Sequence, residues 1–269
     1  MKNVNGHEII RLFEEWSPKK FAMEGDPVGL HIGQLNRPVD TVLVTLDVNE
    51  AVVDEAIERG ATLIIAHHPP LFRPVKHILT DTPQGRMIEK CIKNDLSVYA
   101  AHTNLDIASG GVNDLLASRL GLTQLKLIER TSGESEQEYG LGRVGLLSSS
   151  MTLEQFAGFV KEKLEVPAVR MVGDKDRLIQ KVGVLGGDGN KYIYAAKRAG
   201  ADVFVTGDLY YHVAQDAEAI DLCVVDPGHN VEKVMIQGVA EHMTALCEEH
   251  LYNVTFIQSR INTEPFTFI

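Results

Sequence analysis

Four short stretches concentrate side chains able to bind metals or move protons. They are His67-His68-Pro69-Pro70, His102-Thr103-Asn104-Leu105-Asp106, Gly207-Asp208 with His212 close behind, and Asp226-Pro227-Gly228-His229-Asn230-Val231-Glu232. Imidazoles mixed with carboxylates suit divalent ions of the zinc, iron or manganese kind. Adjacent residues of an extended chain point to opposite sides, so His67 and His68 serve a single ion poorly. They can serve two ions, one each, where the chain turns between them, and Pro69-Pro70 stiffens that turn. His229 and Glu232 are three apart and share one face of a starting helix, with Gly228 before them to allow an unusual turn. Glu-x-x-His is an established dimetal arrangement, and His-x-x-Glu is its mirror in sequence. Each stretch alone has a plainer reading: a histidine bonded to a carbonyl, or Asp106 or Ser109 capping a helix. Together they require one structural device to explain all four.

Strand ends are that device. Thr41–Leu46, Thr62–Ala66 and Leu96–Ala101 are short apolar runs without alternation, as expected of a parallel sheet covered on both faces. Helical patterns over Glu50–Arg59 and near 83–94 separate them, and residues 8–16 form a further amphipathic helix ending before Ser17-Pro18. The order βαβαβ predicts an α/β fold. The second half echoes the first: at an offset of 140, Val42, Val44, Ala56 and Gly60-Ala61 fall on Val182, Val184, Ala196 and Gly200-Ala201. Asp95-Leu96-Ser97-Val98 resembles Asp221-Leu222-Cys223-Val224. Two related lobes follow, with Asn253–Gln258 closing the first as a strand and the polar residues 131–138 as the candidate loop between them. Ligands of open α/β sheets gather at the carboxyl ends of strands, where all four stretches lie.

The remaining features narrow the function. Gly186-Gly187-Asp188-Gly189-Asn190-Lys191 tempts a phosphate-loop reading but lacks the Walker ending and the dinucleotide GxGxxG pattern. His31, His77, His242 and His250 have no acidic or strand-end context and are expected at the surface. Cys91, Cys223 and Cys247 lie in apolar patterns, the behaviour of core residues in a reducing compartment. Lys+Arg 26 against Asp+Glu 37 gives a net charge of −11, which disfavours nucleic acid and anionic membranes as partners while leaving room for a small anionic substrate. No apolar run approaches a membrane span, and the expected location is the cytoplasm.

The combined motifs, from Asp26-Pro27-Val28-Gly29-Leu30 through Ala66-His67-His68-Pro69-Pro70-Leu71-Phe72, Ala101–Asp106 and Val205–Asp208 to Asp226–Val234, closely resemble the NIF-three-like dinuclear metal-binding family. Its bacterial members are described as GTP cyclohydrolase 1 type 2 homologues. The resemblance implies two divalent metal ions held by His67, His68, Asp106, His229 and Glu232, the residues the strand ends single out. Some relatives place the glutamate four residues after the histidine, which keeps it on the same helical face. The implied architecture is two related α/β lobes forming one unit, residues 1–126 plus 233–269 and 127–232, with the dimetal site in the cleft between them. Many relatives carry an inserted middle domain for which this chain has no room. A toroidal homohexamer is implied as well. The implied activity is metal-dependent hydrolysis, the purine-ring opening of GTP in which activated water attacks C8 and formate leaves. Glu232 would bridge the ions, and His102 or His212 would shuttle protons. Asp208 and Asp226, with those two histidines, are expected to stay off the metals. The same site suits a phosphoesterase, and a metal-binding regulatory or chaperone-like protein without turnover is a third reading.

Overall fold

Local chemistry starts the helices. In the computed structural model, which describes residues 2–131 and 139–269, helix α1 (Gly6–Trp16) opens on a capping box. The Asn5 side chain accepts from the Glu8 amide, and the Glu8 carboxylate accepts from the Asn5 amide. Asn49 caps α2 (Glu50–Glu58), and Thr82 caps α3 (Pro83–Lys93), which has Pro83 in its first turn. The sequence places these three helices to within a few residues of their ends.

The chain divides into two compact units. The first comprises Met1–Ala108 and Met235–Thr263. Its sheet contains β1 (Gly29–Ile32), β2 (Thr41–Thr45), β3 (Leu63–Ala66), β4 (Ser97–Ala100) and β11 (Thr255–Gln258) in the order β1-β4-β3-β2-β11. Every neighbouring pair is parallel except the antiparallel edge β1. Every residue of β3 and β4 is buried, and all but Ser97 are apolar, as expected of strands covered on both faces. Leu43, Ile64 and Val98 pack with Val53, Ala56 and Cys91 in one core beneath α2 and α3. Short helix α4 (Thr103–Ile107) follows β4, and the long helix α9 (Val234–Glu249) leads back to β11.

The second unit comprises Ser109–Val234 and Glu264–Ile269. It holds helices α5 (Val112–Arg119), α6 (Leu153–Lys163), α7 (Ile193–Arg198) and α8 (Tyr211–Ala219). Its strands are β5 (Thr123–Arg130), β6 (Gly140–Thr152), β7 (Arg170–Val172), β8 (Leu178–Asp188), β9 (Val203–Gly207) and β10 (Cys223–Asp226), in the order β5-β6-β8-β9-β10-β7. β8, β9 and β10 are parallel, and the flanking strands are antiparallel.

The repeat survives at the level of register. Val42 pairs with Leu63 and, 140 residues on, Val182 pairs with Val203. Leu63 pairs with Ser97, and Val203 with Cys223. The turns entering the third strand match as well: Asp95 and Asp221 both take left-handed backbone, with φ of 55° and 58°. Both sheets end in an antiparallel edge strand, β1 or β7. The same offset that relates Asp95 to Asp221 aligns Asp106 with Glu232, so these two acids occupy equivalent positions of the repeat.

The junction between units differs from the expected boundary at residue 126. It falls at Ala108 and Ser109, because α5 packs on β6 and β8 of the second sheet. Asn113 on that helix accepts from the Gly186 amide, and Asp114 holds the buried Arg143 of β6. Residues 132–138, most of the stretch expected to link the lobes, lie outside the described residues. The strands on either side of it, β5 and β6, pair with each other, Arg130 opposite Gly140. Among the described residues no helix is long and apolar enough to cross a membrane.

Candidate metal centre

In the first unit, three consecutive parallel strands each deliver site residues. Backbone pairing runs past the end of β3: the His67 amide donates to Thr45 and the His68 amide to Leu46, at 3.2 and 2.9 Å. His67 is fully buried, and its Nδ1 lies 2.8 Å from the Ala101 carbonyl. A carbonyl only accepts, so Nδ1 carries the hydrogen and Nε2 keeps its lone pair. His68 Nδ1 lies 2.7 Å from Asp47 Oδ1, just beyond β2. His102, at the start of α4, places Nδ1 2.8 Å from Asp26 Oδ1. The Asp26 carboxylate also accepts from the Thr103 amide and hydroxyl. Burial raises the pKa of Asp26, and these hydrogen bonds outweigh it, holding the carboxyl below its usual range. His67, His68 and His102 each bring one ring nitrogen within 4.8 Å of the others. Asp106, buried on α4, sets Oδ1 3.7 Å from His67 Nε2. The half-exposed ring of Phe72 meets His102 edge-on, with centroids 6.2 Å apart.

In the second unit, Gly228 takes φ of 86°, and the turn it permits leads into a 3-10 helix over His229–Lys233. The sequence points to an α-helical start here. The tighter winding eclipses residues three apart, which brings His229 Nε2 to 3.1 Å from Glu232 Oε2. His229 Nδ1 lies 2.8 Å from Asp208 Oδ2. Glu232 is buried and sits against the Gly186-Gly187 backbone. A Cβ on Gly187 would lie 2.7 Å from Glu232 Oε1 and 3.2 Å from His229 Nε2. That glycine keeps open the space into which both donors point.

A shared feature of the four histidines is the fit test for a metal. Each has Nδ1 committed to an oxygen: Ala101, Asp47, Asp26 or Asp208. Such outer hydrogen bonds fix the tautomer that leaves Nε2 as a ligand and raise its basicity. Imidazoles presented in this way, with the Asp106 carboxylate in the first unit and the Glu232 carboxylate in the second, are donors that suit divalent ions of the zinc, iron or manganese kind.

The other sequence candidates separate. His102 joins the histidine group of the first unit, whereas His212 is exposed on α8, near Gln215, and no donor group among the described residues includes it. Asp208 positions His229. Asp226 accepts from Arg170 and from the Leu209 and Gly228 amides, and so shapes the loops. The Gly186–Lys191 segment is a closed turn and not a phosphate cradle: Asp188 accepts from Asn190, whose side chain binds the Asp208 carbonyl and the Tyr210 amide. His77 and His250 are exposed as expected. His31 and His242 are corrections: His31 is part-buried with Nε2 against the Pro27 carbonyl, and His242 is half-buried with its ring 3.9 Å from that of Trp16, burial lowering its pKa. The three cysteines are buried and free. Sequence reasoning missed Asp47, a single carboxylate in a loop with no histidine beside it.

Comparisons with known proteins find relatives over essentially the whole chain. The family model described as Duf34/NIF3 (NGG1p interacting factor 3) matches residues 4–265. The chain is 43% identical to the GTP cyclohydrolase 1 type 2 homolog of Bacillus subtilis, with both chains fully covered. That alignment runs over 371 positions, more than the 269 residues present here, so the relative carries inserted sequence. The homolog of the same name from Streptococcus pneumoniae is 37% identical over 266 residues, covering 97% of this chain and 98% of the other. Among solved structures, a Bacillus cereus protein related to NIF3 superposes with a TM-score of 0.97 at 42% identity, both chains fully covered. A Staphylococcus aureus hypothetical protein does so with 0.94 at 33%, again over both whole chains.

Proposed function

The chain belongs to the Duf34/NIF3 (NGG1p interacting factor 3) family, and from that premise we propose that it is a dinuclear metal-dependent hydrolase that opens the purine ring of GTP. His67, His68, Asp106, His229 and Glu232 would hold the two ions. The observation that carries the metal reading is that His67, His68 and His229 each commit Nδ1 to a protein oxygen and so offer Nε2. Histidines that serve only packing have no reason to present the same nitrogen. The equivalent positions of Asp106 and Glu232 in the repeat support a paired centre. The guanine base as substrate rests on the names of the relatives.

Two bound divalent ions would supply acidification of water toward neutrality and polarisation of the electrophile. The protein's own groups do the rest. Asp26 holds the His102 ring by Nδ1, leaving Nε2 to take a proton from the attacking water and return one to the leaving nitrogen. Glu232, its carboxylate set against the Gly186-Gly187 backbone, would be one of the residues that hold the ions. Asp208 and Asp226, with His102 and His212, would stay off them. The proposed assembly is a homohexamer located in the cytoplasm, and native mass spectrometry of the purified protein checks the former.

The test is elemental analysis after reconstitution, followed by turnover. Two ions per chain are expected in the native protein, with a marked loss in His67→Ala and in His229→Ala. Release of formate from GTP is expected, abolished in Glu232→Gln with a smaller loss of metal than in His67→Ala. Absence of bound metal, or unchanged binding in the alanine variants, refutes the centre. Metal binding without GTP turnover moves the function to a phosphoesterase, if a phosphoester is cleaved, or to a non-enzymatic metal-binding role if none is.

A further inference from the structure

We infer that Thr263, beyond the last strand of the first unit, is a positioning residue for His68. The Thr263 hydroxyl donates to Asp47 Oδ2, while Asp47 Oδ1 accepts from His68 Nδ1 at 2.7 Å. A carboxylate held at both oxygens has no freedom to rotate away from the imidazole. Asp47 thereby keeps the hydrogen on Nδ1 and the lone pair on Nε2, the nitrogen His68 would offer to a metal. The inference rests on the proposal that His68 is a ligand, but the tautomer is a property of the protein alone.

The segment that carries Thr263 is anchored along its length. β11 runs parallel to β2, and the Ser259 amide extends that ladder to the Val44 carbonyl at 2.9 Å. Buried Glu55 then accepts from the Ser259 hydroxyl at 2.6 Å and the Arg260 amide at 2.9 Å, while Arg59 donates to the Gln258 carbonyl at 2.8 Å. Ile261 packs on the core beneath α2 and α3. Two residues later Thr263 arrives at Asp47, itself placed by a hydrogen bond from the Thr45 hydroxyl to its carbonyl, at 2.9 Å. Glu55 and Asp47 are thus two successive clamps on one strand of chain, and the second ends at a site histidine. A purely structural tail would need only the first.

The experiment uses the full-length chain and zinc. Thr263→Val keeps the shape and removes the hydroxyl; Thr263→Ser keeps the hydroxyl. Loss of an outer hydrogen-bonding partner costs about 10–100-fold in metal affinity. Thr263→Val is expected near the lower end of that range in chelator competition, Asp47→Asn near the upper end, and Thr263→Ser within about twofold of the native protein. In the metal-free protein, the ¹⁵N chemical shifts of the His68 imidazole, assigned by their loss in His68→Asn, should move toward the other tautomer in Thr263→Val while those of His67 stay. Native shifts and native affinity in Thr263→Val overturn the inference, as does an equal loss in Thr263→Val and Thr263→Ser. If the native chain binds no zinc, the metal proposal fails, and the His68 shifts alone then decide the role of Thr263.

Discussion

Replacing Gly187 by alanine separates the demands of the backbone from those of the proposed metal site. Gly187 has φ of 62°, and an added Cβ would lie 2.7 Å from Glu232 Oε1. Gly60 has φ of 70° with nothing within 4 Å of the same added atom, so Gly60→Ala carries the backbone strain without the clash. Left-handed backbone costs an alanine about 1–2 kcal/mol. The stiffer unfolded chain returns about 0.4–1 kcal/mol. The control should therefore lose roughly 1 kcal/mol in a denaturant titration and keep native zinc affinity. Gly187→Ala carries the same cost and must also push the buried Glu232 carboxylate aside. Zinc affinity should fall at least as far as for an outer hydrogen-bonding partner, about 10–100-fold. Chelator competition on both variants reads the difference. If Gly187→Ala binds zinc as tightly as Gly60→Ala, the hollow beside Glu232 is not a metal site and the reasoning fails.

Other perturbations test the framework. Glu55 has its carboxyl held below the usual value of 4.5: burial raises it, but hydrogen bonds from Ser259, Arg260 and Arg59 outweigh that. A depressed folded pKa means stability that is present above the unfolded value and lost as pH falls through the folded one. Melting curves below about pH 4.5 should show that acid loss in the native chain and a smaller one in Glu55→Gln, with parallel curves counting against it. Arg143 is buried and grips Asp114 from Nε at 2.5 Å and Nη2 at 3.0 Å. Breaking such a pair by Asp114→Ala should cost about 3 kcal/mol in urea unfolding, since the guanidinium would be left uncompensated. A change below about 1 kcal/mol would show that the carbonyls of Gly140 and Gly142 suffice to hold it.

What the sequence reveals about this protein follows how local each physical cause is. Leu63-Ile64-Ile65 reads as a buried strand because all three side chains must leave water together, and the offset of 140 survives because both lobes need the same strand spacing. His67, His68, Asp106, His229 and Glu232 stand out because their side chains do chemistry that few others do, at the only ends of the strands where a βαβ unit exposes them. The partners that orient them are not local. Asp47 and Thr263 meet across 216 residues, and Asp26 and His102 across 76. A lone carboxylate in a loop gives no sign of which imidazole it faces. The same limit displaced the lobe boundary. The apolar residues of α5 mark a buried face, but nothing in them says which sheet buries it. That choice is made by Asp114 meeting Arg143 and Asn113 meeting the Gly186 amide. Asn113 thereby braces the backbone on which Glu232 rests. Helix α5 is thus part of what holds a metal-ligand candidate in place.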